Sequence, residues 1–410
     1  MRRIETIRLY PTTAQAAALG HALHVTRQLY NALLEERREA WKRRGIAITT
    51  KQQYRELTEL RAADPRIAAI YRECEDAVLH RLDLALQAFF RRVKRGETPG
   101  YPRYRSAARW RQLEYPHGDR ALKFDAMQRR VRIPGVGLVK LRKGREVPLT
   151  FGRAWLVRKG THWYAQFECT INVQSLPTRG GAVGLDRGVR VLLATSDGEC
   201  IVNPQHLERA RLKLERQQRI VAKRKRGGKN RRRAVAVLAR QHERIANARR
   251  DHAHKVARKL VERYERIAIE DLRVPNMVRS AKGTLENPGR RVRAKAGLNR
   301  AMLDAGFGLI ARLIEEKAES AARTVVRVDA RYTSQTCSGC SRVDATARRG
   351  AEYQCTSCGL HINADVNAAV NILRRAEFPP ASRRAGLPDV DDTRSELSPR
   401  SNRFMQHDAA

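Results

Sequence analysis

The chain has 410 residues, enough for two or three domains, and carries 83 Lys and Arg against 43 Asp and Glu, a formal net charge of +40. This charge predicts a nucleic-acid partner, because a protein this basic repels itself unless a polyanion neutralises it. No apolar run reaches the roughly 18 residues of a membrane-spanning helix, and the N-terminus has no apolar signal-peptide core. We therefore expect a cytoplasmic protein with no membrane partner.

The N-terminal segment predicts one strand followed by helices. Ile4–Tyr10 alternates apolar and polar residues until a proline ends the pattern, which is typical of a strand. Apolar residues then recur at helical spacing to about Val93, with breaks near Gly45 and Asp64. We expect residues 11–99 to be a helical insertion.

The next segment has a different pattern. Residues 113–173 contain short alternating stretches punctuated by Gly and Pro, which favour a small antiparallel β-barrel. The first strand could complete this barrel, and its domain would then comprise residues 1–10 and 100–178.

From Ala182 the pattern changes to α/β. We predict three hairpin-connected strands within 182–202, helices at about 205–225 and 231–263, a strand at 266–270, a helix at about 299–322, a strand at 325–329 and a helix at about 363–375. This order is that of ribonuclease-H-like nucleases. The predicted nuclease domain is 179–330 with 361–376, a zinc ribbon is inserted at 331–360, and the Pro- and Ser-rich tail 377–410 is predicted to be disordered.

Two CxxC pairs form the most specific motif. Cys337 and Cys340 are followed, after a 14-residue gap, by Cys355 and Cys358, and two such knuckles can place four thiolates tetrahedrally around one Zn2+. Because protein fills all four positions, the predicted zinc is structural. The remaining cysteines are isolated, and we expect each to be packed in a core: Cys74, Cys169 and Cys200.

Three acidic residues are candidate ligands for divalent metal. Asp186 and Glu270 each end a predicted buried strand, and Asp365 lies in the first turn of the helix after the ribbon. A buried carboxylate is costly unless a cation or hydrogen bonds compensate it, and converging carboxylates suit Mg2+. Taken singly, each could equally be a cap or an ion-pair partner. Nearby acids that we expect to be caps or surface pairs are Asp271, Asp304 and Asp329.

Dense runs of Lys and Arg are candidate phosphate contacts. Residues 205–263 hold 21 Lys and Arg against five Asp and Glu, and the alternative is a solvated charged face. The candidates are Lys223, Arg224, Lys225, Arg226, Lys229, Arg231, Arg232, Arg233, Arg249, Arg250 and the stretch 291–295. Four aromatic residues lie among charged ones and could stack on bases or pack in a core: Tyr101, Tyr104, Trp110 and Tyr115.

Several of these segments resemble the TnpB (OrfB) proteins of insertion sequences, relatives of the type V CRISPR effector nucleases. The C-terminal half matches in GLDRGV, AIEDL, YTSQTCSGC, YQCTSCG and ADVNAAVNIL, and the N-terminal half matches more loosely in IRLYPT, QLYN and GYPRYR. The resemblance covers about residues 1–375. One departure is Ala364, where members often have arginine, although the acid after it is kept.

The resemblance implies a split RuvC-type nuclease in which Asp186, Glu270 and Asp365 bind two Mg2+ or Mn2+ ions. It also implies that the β-barrel and the helical insertion at 11–99, which recognises nucleic acid, hold two partners, a guide RNA from the element's own end and double-stranded target DNA. The DNA is cut next to a short motif that the protein reads. We therefore predict a transposon-encoded, RNA-guided DNA endonuclease. No pattern predicts the oligomeric state.

Two other functions stay open. A guided DNA-binding repressor without cleavage would show the loss of a carboxylate from the acidic triad, and none is lost here. The second is an accessory transposase protein. Strand transfer by the chain itself is disfavoured, because His252 and His254 lie in a helical segment, where residues i and i+2 diverge by about 200°.

Overall fold

The computed structural model describes residues 2–125, 127–143, 148, 150–170, 175–177, 180–284 and 286–378. Residues 1–376 cluster into one unit and residues 377–410 into a second. Only the first two residues of the second unit are described, so the disorder predicted for 377–410 lies outside the described residues. None of the described helices is both long and apolar enough to cross a membrane.

The N-terminal strand belongs to a sheet whose other strands come after the helical insertion. The strands are β1 (Arg2–Tyr10), β2 (Gln112–Tyr115), β3 (Lys123–Asp125), β4 (Arg130–Ile133), β5 (Gly137–Leu141), β6 (Ala154–Lys159) and β7 (His162–Thr170). They form an antiparallel sheet in the order β2-β6-β7-β1-β5-β4-β3. The end strands β2 and β3 do not pair with each other within the described residues, so the sheet is confirmed and a closed barrel is not.

Helices cover one face of this sheet. They are α1 (Thr13–Arg44), α2 (Thr50–Ala63), α3 (Pro65–Ala68), α4 (Arg72–Lys94) and the single turn α5 (Gly118–Ala121). Thr12 begins α1 with a capping box, accepting from the Gln15 amide at 3.3 Å while its own amide donates to Gln15 Oε1 at 3.0 Å. Gly45 ends α1 in the left-handed region at φ 65°, so the predicted breaks are confirmed.

The helices and the first sheet share one hydrophobic core. Trp110 packs against Tyr30 with ring centroids 5.3 Å apart and the planes tilted by 44°, and its Nε1 donates to Thr26 Oγ1 at 3.0 Å. Trp110 and Tyr115 are only 5% and 2% exposed. Of the two alternatives for these residues, core packing is the one observed, because the core between sheet and helices encloses them.

The second sheet has the predicted ribonuclease-H-like order. Its strands are β8 (Ala182–Asp186), β9 (Val191–Thr195), β10 (Cys200–Val202), β11 (Arg266–Glu270) and β12 (Thr324–Val328). The order is β10-β9-β8-β11-β12; β8, β9 and β10 are antiparallel, and β11 runs parallel to both β8 and β12. Cys200 lies on the edge strand and is exposed, so its predicted core packing is wrong, whereas Cys74 and Cys169 are buried as predicted.

The helices of the second sheet are α6 (His206–Arg209), α7 (Arg211–Lys223), α8 (Lys229–Arg263), α9 (Val274–Met277), α10 (Val292–Ala305), α11 (Phe307–Ser320) and α12 (Ala364–Arg375). The single helix predicted at 299–322 is in fact two. Gly306 separates α10 from α11 with a φ of 71°, a conformation that glycine adopts at little cost. Helical spacing of apolar residues continues through this break and therefore hides it.

The ribbon between β12 and α12 contains three short antiparallel strands, β13 (Arg348–Arg349), β14 (Glu352–Gln354) and β15 (His361–Asn363). Its core has five buried residues, and two of them are cysteines: Cys337, Ala347, Tyr353, Cys355 and Ala364. So few apolar side chains supply little hydrophobic stabilisation, and the ribbon needs a further source of stability.

Candidate functional site

The four predicted cysteines come together in the ribbon. Their sulfur atoms all lie within 4.8 Å of one another, and two cross-knuckle pairs, Cys337 with Cys358 and Cys340 with Cys355, are each 3.6 Å apart. A tetrahedral zinc site with Zn–S bonds of about 2.3 Å has sulfurs about 3.8 Å apart. The spacing and chemistry of these donors therefore fit structural Zn2+.

Backbone geometry adapts the knuckles to anionic sulfur. Gly339 donates its amide to Cys337 Sγ at 3.3 Å, and a Cβ at this position would lie 3.3 Å from Cys358 Sγ, so a larger residue would crowd the cluster. The amides of Cys358 and Ser357 lower the pKa of Cys355 to about 6. A lower pKa favours the thiolate form of this cysteine, which is the form that binds metal.

Asp186 and Glu270 lie side by side at the ends of neighbouring strands. Leu185 of β8 is paired with Ile269 of the parallel strand β11. The next residues along the two strands, Asp186 and Glu270, therefore occupy neighbouring positions in the same register. Residues in register on adjacent strands point to the same face of a sheet. The topology therefore brings together two carboxylates that are 84 positions apart in the sequence.

Asp365 reaches the same place because α12 crosses directly over β8. At Gly184 a Cβ would overlap the carbonyl oxygen of Ala369 and lie 2.6 Å from the nitrogen of Leu373, so only glycine allows this crossing. Asp365 precedes Ala369 by about one helical turn, and Asn363 caps the helix by accepting from the amides of Asp365 and Val366 at 3.0 and 3.1 Å.

The three carboxylates interact electrostatically. Burial, followed by the charges of Glu270 and Asp365, raises the pKa of Asp186 to about 7. Burial also raises the pKa of Glu270, which is 6% exposed, against the opposing hydrogen bond from Thr333. Mutual repulsion of this kind is relieved by a bound cation. One buried and two half-buried carboxylates, whose charges repel at Asp186, are a ligand set that fits Mg2+ or Mn2+.

The carboxylates are spaced more widely than the thiolates. Among the described residues, the cysteines are the only group of three or more His, Cys, Asp or Glu with ligand atoms all within 4.8 Å of one another. Two carboxylates also have partners: Thr333 Oγ1 donates to Glu270 Oε1 at 2.7 Å, and Arg348 Nη2 donates to Asp365 Oδ1 at 2.7 Å. The acidic site is thus an open cluster held by side-chain donors.

Sequence reasoning missed three residues that build this site. Arg187 is buried and donates to the carbonyls of Glu270 and, at 3.2 Å, Phe307, which joins β8, β11 and α11. Thr333 and Arg348 orient two of the carboxylates. The only available signal was that Arg187 and Thr333 lie within the motifs GLDRGV and YTSQTCSGC, whereas Arg348 lies in the gap between the CxxC pairs, where no pattern singles it out.

Two asparagines attach the ribbon to α12. Asn367 accepts from the Ser338 amide and donates to the Thr336 carbonyl, each at 2.8 Å. Asn371 donates to the carbonyls of Thr333 and Thr336 at 2.9 and 2.6 Å. Because residues four apart share a helix face, the spacing of these asparagines fixes α12, and with it Asp365, against the base of the ribbon.

The three neighbouring acids have the cap and ion-pair contacts that the sequence suggested. Asp271 pairs with Arg327 at 3.0 Å. Asp304 accepts from the Leu207 amide at 3.0 and 2.9 Å and caps α6. Asp329 accepts from the amide two residues on at 3.0 Å.

Most of the predicted phosphate contacts are exposed, but two arginines have structural partners. Arg231 donates to the Val221 carbonyl at 2.6 Å and ties α8 to α7, and Arg249 pairs with Asp304 at 3.5 Å. The lysines and arginines at 223–226, Lys229, Arg232, Arg233 and Arg250 are exposed. Tyr101 and Tyr104 are 39% and 44% exposed, so base stacking stays a prediction for these two.

The strand order, the carboxylates that end β8 and β11, and the inserted cysteine ribbon define the class: an α/β protein with a ribonuclease-H-like sheet. Family models agree. Residues 166–281 match a model described as a probable transposase (OrfB of IS605), and 307–372 match the TNB domain of Cas12f1-like proteins. A third model, a helix-turn-helix domain, matches 1–45, although this segment is one strand and one long helix here.

Sequence relatives extend the match. InsQ of Escherichia coli (strain K12), named for RNA-guided DNA endonuclease activity, is 34% identical over 295 residues, 71% of each protein. A Streptomyces pristinaespiralis protein with a similar name is 28% identical over 389 residues, 91% of this chain and 89% of its own. Cas12f1 of Sulfoacidibacillus thermotolerans, a CRISPR-associated endodeoxyribonuclease, is 49% identical over 57 residues, 14% of each. The chain therefore belongs to the TnpB/OrfB family of insertion sequences.

Proposed function

We propose that the chain is an RNA-guided DNA endonuclease whose acidic site, formed by Asp186, Glu270 and Asp365, holds two Mg2+ or Mn2+ ions. The observation that carries the proposal is the convergence of these carboxylates at the end of β8, where α12 crosses the sheet at Gly184. When bound, such ions activate water and neutralise charge on the scissile phosphate. The names of the family relatives support the same activity.

The side chains of this site have separate tasks. Burial and the neighbouring carboxylates raise the pKa of Asp186 to about 7, and a bound cation would favour its ionised form, which is the form that acts as a ligand. Thr333 keeps one oxygen of Glu270 oriented, and Arg348 keeps Asp365 in place beside the ribbon. Arg187, which follows β8, donates to the backbone carbonyl of Glu270 and so holds the ends of β8 and β11 together. These contacts pre-orient the ligands, which is what lets such a site favour the transition state.

The exposed basic residues have a different task. The segment 223–226 and the start of α8 neutralise phosphates of the guide RNA and of the RNA–DNA duplex. Pairing between guide and target reads the DNA sequence, so the protein itself needs few base-specific contacts. The zinc ribbon supports α12 and makes no bond to the substrate in this scheme.

The test compares binding with cutting in protein purified with the RNA of its native locus. Asp186→Ala, Glu270→Ala and Asp365→Ala should each lower cleavage by about three orders of magnitude or more, because a ligand to the reacting centre is lost. Gel-shift affinity for target DNA should stay within about threefold, since binding rests on the basic surface.

The matched control is Asp271→Ala, the exposed neighbour of Glu270 that pairs with Arg327, which should keep most activity. If Glu270→Ala cuts and Asp271→Ala does not, the second ligand is misassigned by one residue. If all three alanine variants cut normally, the nuclease proposal fails.

A further inference from the structure

Two histidines outside the acidic site lie close together, each with one ring nitrogen that has no hydrogen-bond partner in the described part of the chain. His206 begins α6 and His252 lies in α8, and their ring centroids are 6.1 Å apart with the planes at 71°. The Nε2 atom of each ring is buried, and neither has a hydrogen-bond partner among the described residues. A buried polar atom without a partner is costly, and imidazole nitrogen is the commonest protein ligand for transition metals.

The backbone around His206 is fixed on both sides. Before it, the buried Asn203 donates to the Val189 carbonyl at 2.7 Å and accepts from the Gln205 amide at 3.1 Å. Gln205 adopts a left-handed φ of 49°, which for a non-glycine residue persists only where surrounding contacts impose it. After it, the Leu207 amide is held by Asp304. His206 therefore approaches α8 from a pre-organised turn.

We propose that His206 and His252 bind one divalent transition-metal ion, such as Zn2+ or Ni2+, through their Nε2 atoms. A metal–nitrogen bond is about 2.0–2.1 Å long, and a ring nitrogen lies about 1.2 Å from the ring centroid. One ion can therefore bond to two rings whose centroids are up to about 6.5 Å apart, and these are 6.1 Å apart. In the described part of the chain, no third His, Cys, Asp or Glu completes a group within 4.8 Å. Water therefore fills the remaining positions, and the ion is held more weakly than in the ribbon.

Ligand chemistry separates this site from the other two. Its donors are neutral nitrogens, the acidic site offers carboxylate oxygen, and the ribbon offers thiolate. Burial and, to a lesser degree, the neighbouring His206 lower the pKa of His252, which favours the neutral ring that binds metal. A bound ion would join the turn after the edge strand β10 to the middle of α8, at the base of the α7–α8 hairpin that carries the exposed lysines and arginines.

The experiment uses the full chain with zinc in the ribbon, in excess Mg2+ so that the carboxylates are occupied, and Ni2+ as the probe. Equilibrium dialysis with metal analysis should find one more Ni2+ per wild-type chain than per chain of the His206→Ala/His252→Ala double variant. Each single variant should weaken this binding by about tenfold or more, because one of only two protein ligands is lost. His242→Ala, which removes an exposed histidine from the same helix, should bind like the wild type.

Folding is checked separately. His206→Gln and His252→Gln keep a polar side chain of similar size, and circular dichroism without Ni2+ should match the wild type for both. Added Ni2+ should raise the melting temperature of the wild type and of neither variant, since only the native site binds the ion. Equal Ni2+ binding by the wild type and the double variant overturns the proposal, and the two rings are then only packed edge to face. The acidic-triad variants should keep the Ni2+ site, so its failure is distinguishable from failure of the nuclease proposal.

Discussion

The thiolate cluster and the acidic cluster meet at the junction of ribbon and nuclease sheet, yet the chain prepares them for metal in opposite ways. The sulfurs already have nearly tetrahedral spacing, with two pairs 3.6 Å apart, and two of the cysteines belong to a core of only five residues. The carboxylates are spaced more widely, and their sheet rests on an apolar core of 21 buried residues.

This difference predicts a structural role for zinc in the ribbon and a catalytic role for Mg2+ at the carboxylates. We expect the ribbon to unfold without zinc, because its apolar core is small and metal binding supplies folding free energy in sites of this kind. Without Mg2+, the nuclease sheet keeps its core, and hydrogen bonds from Thr333 and Arg348 keep two of the carboxylates in place. Loss of zinc should therefore unfold the ribbon, whereas loss of Mg2+ should abolish cleavage reversibly and leave the fold intact.

After the acidic-triad variants, the largest expected effect is on the thiolate side of the comparison. Cys358→Ser should abolish stoichiometric zinc and lower cleavage by about a hundredfold or more, because an unfolded ribbon releases α12 and Asp365. Metal analysis and plasmid nicking measure both, and excess Mg2+ should not restore activity. The control is Cys200→Ser, an exposed cysteine outside the cluster, which should keep zinc and activity. A zinc-free Cys358→Ser protein with full activity would contradict this account of the ribbon.

The next largest effect concerns α12, the helix that packs against both the ribbon and the nuclease sheet. Gly184→Ala pushes a methyl group into the Ala369 carbonyl and should destabilise the protein by about 1–3 kcal/mol, while lowering cleavage by displacing Asp365. Thermal unfolding and nicking of the same preparation measure the two effects. Gly297→Ala is the matched control: it lies exposed in α10 with nothing within 4 Å of its added Cβ, and should be neutral or stabilise by up to about 1 kcal/mol. Similar melting of the two variants would mean that α12 does not depend on close contact at β8.

A smaller effect, on the carboxylate side, appears in the pH dependence of stability. The pKa of an unfolded Asp is about 3.9, whereas burial and the neighbouring carboxylates raise the pKa of folded Asp186 to about 7. Between these values the unfolded chain releases a proton that the folded chain retains, so stability is full below the unfolded pKa and falls as pH rises to about 7. Melting temperatures without Mg2+ should show this fall in the wild type and less of it in Asp186→Asn. Added Mg2+ should offset the fall in the wild type, and identical pH profiles for the two proteins would refute the electrostatic picture of the site.

The smallest expected effect concerns affinity alone. Replacing Lys223, Arg224, Lys225 and Arg226 with glutamine should weaken RNA binding and flatten the slope of log affinity against log salt, because fewer counterions are released. Lys255→Gln with Arg258→Gln is the control, since these two residues already pair with Asp251 and Glu262. Equal slopes for the wild type and the fourfold variant would mean that these four residues are solvated and do not contact phosphates.

Local pattern predicted the positions of the ligands but not what holds them. The apolar run of β11 gave its bounds and placed Glu270 at its end, and the CxxC spacing gave the cysteine cluster. The contacts of Arg187 reach carbonyls 83 and 120 positions away, and no local spacing encodes such distances. Helical periodicity likewise runs through Gly306, where only the backbone conformation shows the break.

The crossing of α12 over β8 also sets the order in which the enzyme can become active during synthesis. β8 and β11 leave the ribosome long before α12, since Asp365 follows Asp186 by 179 positions, and domains generally fold as they emerge. A nascent chain can therefore form much of the nuclease sheet while it still lacks its third carboxylate and the helix that covers Gly184. If these three carboxylates form the catalytic site as proposed, cleavage is possible only after the basic α7–α8 segment and the ribbon, which both precede Asp365, have been translated.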